Sequence, residues 1–113
     1  MTTSANECVR ETHGDLVLVR LRGEVDLSWS QQVRRMILDA LGAAPKVGVE
    51  LSQVSYIDSS GIAALVEGFQ SARKDGRKFG LVATSGAVMS VLQLARLDKV
   101  FPLFPNIEAA QAA

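Results

Sequence analysis

Short runs of aliphatic and β-branched residues alternate along this chain with longer segments in which apolar residues recur at helical spacing. The runs that predict strands are residues 16–22, 46–51 and 79–83. The segments that predict helices are residues 28–41, 60–74 and 87–95. This alternation predicts an α/β fold, because parallel strands need helical crossovers to connect them.

Weaker signals add elements at both ends. Residues 7–10 suggest a first strand that pairs with residues 16–22 as a hairpin through a turn at residues 13–15. Residues 23–26 are expected to end the second strand. Ser28 is expected to cap the first helix, and Gly42 with Pro45 to end it.

Near the carboxyl end, residues 100–104 predict an edge strand, and residues 105–106 start a short terminal helix. The sequence therefore predicts one domain over residues 1–113. Its sheet is mixed but mostly parallel, with four to five strands and about four helices.

Charge and composition exclude several partners. Lysine plus arginine (12) balances aspartate plus glutamate (12), so the basic surplus of a nucleic-acid-binding protein is missing. No apolar run approaches the roughly 20 residues that span a bilayer, which predicts no direct membrane insertion. Residues 1–7 lack the features of a signal peptide. A cytoplasmic location is expected.

Signs of catalysis are weak. His13 is predicted in an exposed turn, and Cys8 is flanked by Glu7 and Val9, neither of which is a cation that would stabilise a thiolate. Neither common glycine-rich phosphate loop is present, and the carboxylates are too scattered to predict a metal site. We therefore expect a protein that is not an enzyme and needs no cofactor.

The segment Asp58-Ser59-Ser60-Gly61 has two interpretations. It can be the amino-terminal cap of a helix, where short polar residues and an aspartate are favoured. It can also be an exposed turn in which a serine hydroxyl is accessible to a kinase. The residues alone leave both interpretations open.

The segment Gly23-Glu24-Val25-Asp26 is similarly open. It can be a simple turn between a strand and a helix. Alternatively, Glu24 and Asp26 lie at the same sheet end as Asp58, because both segments follow core strands, and sites in α/β sheets gather at that end.

These two segments, with residues 47–51, 54–62 and 88–101, resemble the STAS domain of bacterial anti-sigma factor antagonists. The resemblance covers essentially the whole chain in order. It departs from the family at Gly86, where proline is frequent, and at Ala95 and Arg96, where one position is often glycine.

The resemblance implies a switch at Ser59, which an anti-sigma factor that is also a serine kinase of the histidine-kinase-like ATPase type would phosphorylate. A PP2C-type phosphatase would reverse the modification. Unmodified protein would bind the anti-sigma factor and release the sigma factor, and phosphorylation would weaken that complex. The residues expected to contact this partner are Glu24, Asp26, Asp58, Ser60, Gly61, Ala64 and Gly68, the last three as a surface of small residues.

Two other functions stay open. A STAS accessory subunit of an ABC-type phospholipid transporter would have the same fold, although it usually carries a small residue at the switch position. A nucleotide-binding protein is the third candidate, and the missing phosphate loop disfavours it.

Overall fold

A computed structural model of the chain describes residues 6–113. Residues 1–5, the first residues of the predicted domain, lie outside this range. They make up most of the segment that was predicted to lack the features of a signal peptide. The elements in chain order are β1 (Glu7–His13), β2 (Leu16–Val25), α1 (Ser30–Ala43), β3 (Lys46–Ile57), α2 (Ser59–Lys74), β4 (Lys78–Val82), α3 (Gly86–Leu94), β5 (Leu103–Phe104) and α4 (Ile107–Ala112).

The five strands form one sheet in the order β1-β2-β3-β4-β5. β1 pairs antiparallel with β2, and every other neighbouring pair is parallel. The predicted fold class, a mostly parallel mixed sheet with about four helices, is confirmed.

The two faces of the sheet are covered unequally. The main core includes buried residues of α1, α2 and α3, and its members on β2 are Val17, Val19, Leu21 and Val25. A smaller core on the other face joins Leu16 and Leu18 to Val82 and to Ala110 of α4. Alternate residues of β2 thus enter different cores, as the period of two along a strand requires.

The expectation that residues 23–26 break the second strand is wrong. β2 continues to Val25 and stays paired with β3, which itself runs beyond Leu51 to Ile57. The pairing shifts register between Gly23 and Glu24, and Gly23 has a φ of +100°. The shift leaves Ser55 of β3 without a partner, so the β-bulge lies in β3 and bends the pair of strands without ending it. Gly23, opposite the bulge, adopts its positive φ without strain.

The predicted cap of the first helix is also wrong. α1 begins at Ser30, and Ser28 lies in the preceding turn. Its N–H and hydroxyl both donate to the Asp26 carboxylate, at 3.0 and 2.5 Å. Gly42 lies inside the helix, which ends at Ala43 in front of Pro45.

The last strand is shorter than predicted, with only two residues. The N–H groups of Val100 and Phe101 donate to the Leu97 carbonyl, at 3.0 and 3.4 Å, so the preceding residues form a turn. The terminal helix follows its predicted start, since the side chain of Asn106 accepts from the N–H of Ala109 at 2.8 Å.

Candidate functional site

The Asp58 carboxylate caps α2 at the carboxyl end of β3. One of its oxygens accepts hydrogen bonds from the N–H groups of Ser60 (2.9 Å) and Gly61 (3.1 Å) and from the Ser60 hydroxyl (2.6 Å). The bond from the Ser60 hydroxyl is the main reason that the pKa of Asp58 lies below its ordinary value, and the amides of Gly61, Ser60 and Leu27 add to it. This carboxylate is therefore a fixed negative charge at the start of the helix.

Ser59, the first residue of α2, is exposed. Its hydroxyl has no hydrogen-bond partner within residues 6–113, whereas the hydroxyl of the half-buried Ser60 is held by Asp58. The two neighbouring serines therefore differ in accessibility, and Ser59 is the one whose hydroxyl is free to react.

The structure brings the two predicted acidic segments together. The N–H of Asp58 donates to the Val25 carbonyl at 3.1 Å, so Asp26 follows the residue that is hydrogen-bonded to Asp58. Glu24 is exposed and pairs in register with Tyr56 of β3. The backbone carbonyl of Glu24 accepts a hydrogen bond from the indole N–H of Trp29, which ties the end of β2 to the start of α1.

The expectation that Gly61, Ala64 and Gly68 form an exposed surface is wrong, because all three are buried. A Cβ on Gly61 would lie 2.6 Å from Ile57 and 2.8 Å from Val25. A Cβ on Gly68 would lie 2.7 Å from Ile37. These small residues let α2 pack closely against the sheet and α1.

Two exposed apolar side chains near Asp58 were not predicted from the sequence. Leu27, in the turn after Asp26, is 73% exposed, and Tyr56, two residues before Asp58, is 50% exposed. The only sequence signal was a large apolar residue among polar turn residues. The exposure of Tyr56 on a strand could not be predicted in this way, because the strand was expected to end at Leu51.

The two candidate nucleophiles elsewhere in the chain are poorly placed for chemistry. Burial raises the pKa of the Cys8 thiol to about 11, so it stays protonated at neutral pH. Nε2 of His13 lies 3.0 Å from a Glu11 carboxylate oxygen at the end of β1. Within residues 6–113, no cluster of three or more histidine, cysteine or acidic side chains is arranged to hold a metal ion.

A family model described as the STAS domain matches residues 7–110, from β1 into α4. The chain belongs to the STAS domain family. The resemblance on which the sequence analysis relied is confirmed.

Relatives of this STAS domain are similar over most of their length. An anti-sigma F factor antagonist of Paenibacillus polymyxa is 24% identical over 98 residues, which cover 85% of this chain and 84% of that protein. The crystal structure of an anti-sigma factor antagonist from Mycobacterium paratuberculosis has a TM-score of 0.85 and 27% identity, and covers 96% of this chain and 92% of that one.

The Bacillus cell fate determinant SpoIIAA in its phosphorylated form has a TM-score of 0.73 and 23% identity, with 96% of this chain and 97% of that chain covered. At this identity the likeness shows the fold. Among the helices within residues 6–113 of this STAS domain, none combines the length and apolar character that crossing a membrane requires.

Proposed function

We propose that this STAS domain is an anti-sigma factor antagonist, a non-enzymatic regulator that binds an anti-sigma factor and is switched off by phosphorylation of Ser59. The observation that carries the proposal is the exposed Ser59 hydroxyl beside the Asp58 cap. Named relatives that align over most of the chain support the same regulatory role.

A kinase needs access to the hydroxyl that it phosphorylates. Ser59 stands at the first turn of α2, where it is exposed and its hydroxyl makes no hydrogen bond within residues 6–113. Ser60 is a poor acceptor, since phosphorylation there would remove the 2.6 Å hydrogen bond that its hydroxyl donates to Asp58. Ser59 is therefore the proposed acceptor of the two.

Phosphorylation of Ser59 would add negative charge at the start of α2. A phosphoserine carries about −1.5 to −2 charges at neutral pH. A helix amino terminus often neutralises such a charge through its free N–H groups. Here the N–H groups of Ser60 and Gly61 already bind the Asp58 carboxylate, and that of Ile62 binds the Asp58 carbonyl. Most of the added charge would therefore face the partner.

The side chains around Ser59 form the proposed docking surface. Asp58, Asp26 and Glu24 lie at one end of the sheet, and the exposed side chains of Leu27 and Tyr56 stand beside them. Buried apolar or aromatic anchors supply most of the affinity of a protein interface, and charges around them set specificity. A partner with an apolar groove and a basic rim fits this surface.

The proposed partner is an anti-sigma factor that is also a serine kinase of the histidine-kinase-like ATPase type, and a PP2C-type phosphatase would remove the phosphate. Loss of only about 3 kcal/mol on phosphorylation would weaken binding more than a hundredfold. Such a loss is enough to return the anti-sigma factor to its sigma factor.

Phosphorylation is tested by incubating the protein with its candidate kinase and ATP, and locating phosphate by mass spectrometry. We expect label on wild type and Ser60→Ala, and none on Ser59→Ala. Label that persists in Ser59→Ala removes the assignment of the site.

The charge mechanism needs its own comparison. Ser59→Asp and Ser59→Asn have nearly the same size and differ by one charge, so isothermal titration calorimetry with the anti-sigma factor separates charge from shape. We expect Ser59→Asp to bind at least about tenfold more weakly than Ser59→Asn. Equal affinities would show that charge is not the switch.

A further inference from the structure

A second concave site lies at the other end of the sheet from Ser59. It is a cavity of about 320 Å³ beside the first residues of β3 and β4, and β5 and α4 complete its wall. Ligand cavities in proteins start at roughly 300 Å³ and are lined mainly by apolar side chains. Its apolar wall includes Phe69, Phe79, Phe104 and Ala110.

Two glycines that pair in register across β3 and β4, Gly48 and Gly80, keep one part of this wall free of side chains. A Cβ on Gly80 would overlap the ring of Phe104, and one on Gly48 would lie 3.0 Å from Val82. Gly80 thus lets Phe104 lie directly against the sheet, and the ring of Phe104 lines the cavity.

The charged side chains that line the cavity are all basic, and they belong to Lys46, Arg77 and Lys78. Lys46 donates to the Gln111 carbonyl at 2.6 Å and lies 3.8 Å from the Asp15 carboxylate. Nη1 of Arg77 donates to the Ala44 carbonyl at 2.8 Å. Within residues 6–113, neither Arg77 nor Lys78 forms a salt bridge. Two cations that have no salt-bridge partner among the described residues therefore line an apolar cavity in a chain that has no net charge.

We propose that this cavity binds an amphipathic carboxylate of the fatty-acid class, with its alkyl chain against the phenylalanines and its carboxylate on Arg77 and Lys46. Burial of the alkyl chain supplies the apolar contribution to affinity. A guanidinium that has no carboxylate partner can bind a carboxylate with two parallel hydrogen bonds. The site is independent of the Ser59 switch, because it lies at the opposite ends of β3 and α2.

Isothermal titration calorimetry with sodium decanoate tests the proposal on the full chain. We expect saturable binding of one decanoate per chain. Decanol lacks the charge and butyrate lacks most of the alkyl chain, so each should bind at least about tenfold more weakly. No saturable binding of decanoate up to about 1 mM, or equal binding of decanol, would overturn the proposal.

Variants then assign the cations. Arg77→Met should weaken decanoate binding at least about tenfold, and Arg77→Lys should retain most of it. Lys99→Met is the control, since Lys99 is exposed and does not line the cavity. If Arg77→Met does not fold, Lys46→Met takes its place, because Lys46 is the other cation proposed to hold the carboxylate and also lines the cavity. Unchanged affinity in a folded cavity variant would contradict the proposed role of the cations.

Nuclear magnetic resonance locates the ligand. Decanoate should shift the amide signals of Gly48, Gly80 and Phe104 while leaving those of Asp58 and Ser59 in place. Shifts confined to the region of Asp58 and Ser59 would mean that the probe binds the docking surface, and would remove the cavity assignment.

Discussion

The hydroxyl of Ser60 donates a 2.6 Å hydrogen bond to the Asp58 carboxylate, and the hydroxyl of the preceding Ser59 has no such partner within residues 6–113. Both residues belong to the first turn of α2 and have the same side chain. One completes the helix cap, and the other is left at the surface. The cap therefore fixes the turn in which the proposed phosphorylation site stands.

The two serines should respond differently to the same substitution. Ser60→Ala removes a hydrogen bond to a charged group, so we expect the free energy of unfolding to fall by about 1 kcal/mol or somewhat more. Ser59→Ala removes an exposed hydroxyl, and the change should stay within about 0.5 kcal/mol. Urea unfolding followed by circular dichroism measures both. A larger loss for Ser59→Ala than for Ser60→Ala would mean that the cap is assigned to the wrong serine.

Any side chain at position 68 should destabilise the folded protein. Gly68→Ala places a Cβ 2.7 Å from Ile37 and 3.1 Å from the ring of Phe79, and overpacking of this kind costs about 1–3 kcal/mol. Gly42→Ala is the control, because a Cβ there meets nothing within 4 Å inside α1. That variant should gain about 0.5–1 kcal/mol from helix propensity. Thermal unfolding of the two variants should therefore shift in opposite directions.

The fold could be predicted from the sequence, but the burial of the small residues of α2 could not. The alternation of strands and helices was enough to predict the fold, since each element carries its own periodicity. The sequence does not decide whether a face of small residues is buried or exposed, because positions 61, 64 and 68 suit close packing against a core as well as docking of a partner. Only the contacts of Gly61 with Ile57 and of Gly68 with Ile37 decide between the two.

The extension of β2 beyond Gly23 could not be predicted for a related reason. A glycine followed by acidic residues is typical of a turn, and here the pairing with β3 keeps the segment extended through a bulge. This extension places Tyr56 and Glu24 beside each other on neighbouring strands. The acidic residues Glu24, Asp26 and Asp58 were predicted from the sequence, whereas the position of Tyr56 beside them depends on this strand pairing.

Arg96 occupies a backbone position that favours glycine. After α3, the N–H of Arg96 donates to the Gln93 carbonyl at 3.1 Å, and the N–H of Leu97 donates to the Leu92 carbonyl at 2.7 Å. Arg96 itself has a φ of +59°. This is the Schellman arrangement, in which glycine avoids the strain of a left-handed residue. α2 ends in the same way with Gly76, at a φ of +69°.

Arg96→Gly should therefore stabilise the protein by about 0.5–1 kcal/mol, since relief of left-handed strain exceeds the added chain entropy. Arg96→Ala is the matched control, because it removes the same side chain and keeps the strain. The reverse substitution at the end of α2, Gly76→Ala, should lower the free energy of unfolding by about 1 kcal/mol. Chemical denaturation measures all three, and equal stability of the glycine and alanine variants at position 96 would contradict the strain argument.

Glu11 should make the stability of the protein depend on acid pH. Hydrogen bonds from Arg20 first, and then from His13, lower the pKa of Glu11 from its usual 4.5 to about 2. A carboxylate with a lowered pKa in the folded state stabilises that state above its unfolded pKa, and this contribution is lost as the pH falls through the folded pKa. The contribution should thus be complete above about pH 4.5 and should disappear towards pH 2.

The difference in unfolding free energy between wild type and Glu11→Gln isolates this group, because Asp58 and Glu67 also have lowered pKa values and act equally in both proteins. Urea unfolding from pH 7 to pH 2 should show a constant difference near neutrality that shrinks below about pH 4.5. In an Arg20→Gln background the same difference should depend less on pH, since the main hydrogen bond to Glu11 is gone. A difference that stays constant down to pH 2 would mean that the Glu11–Arg20 hydrogen bonds do not hold the carboxylate ionised in the folded protein.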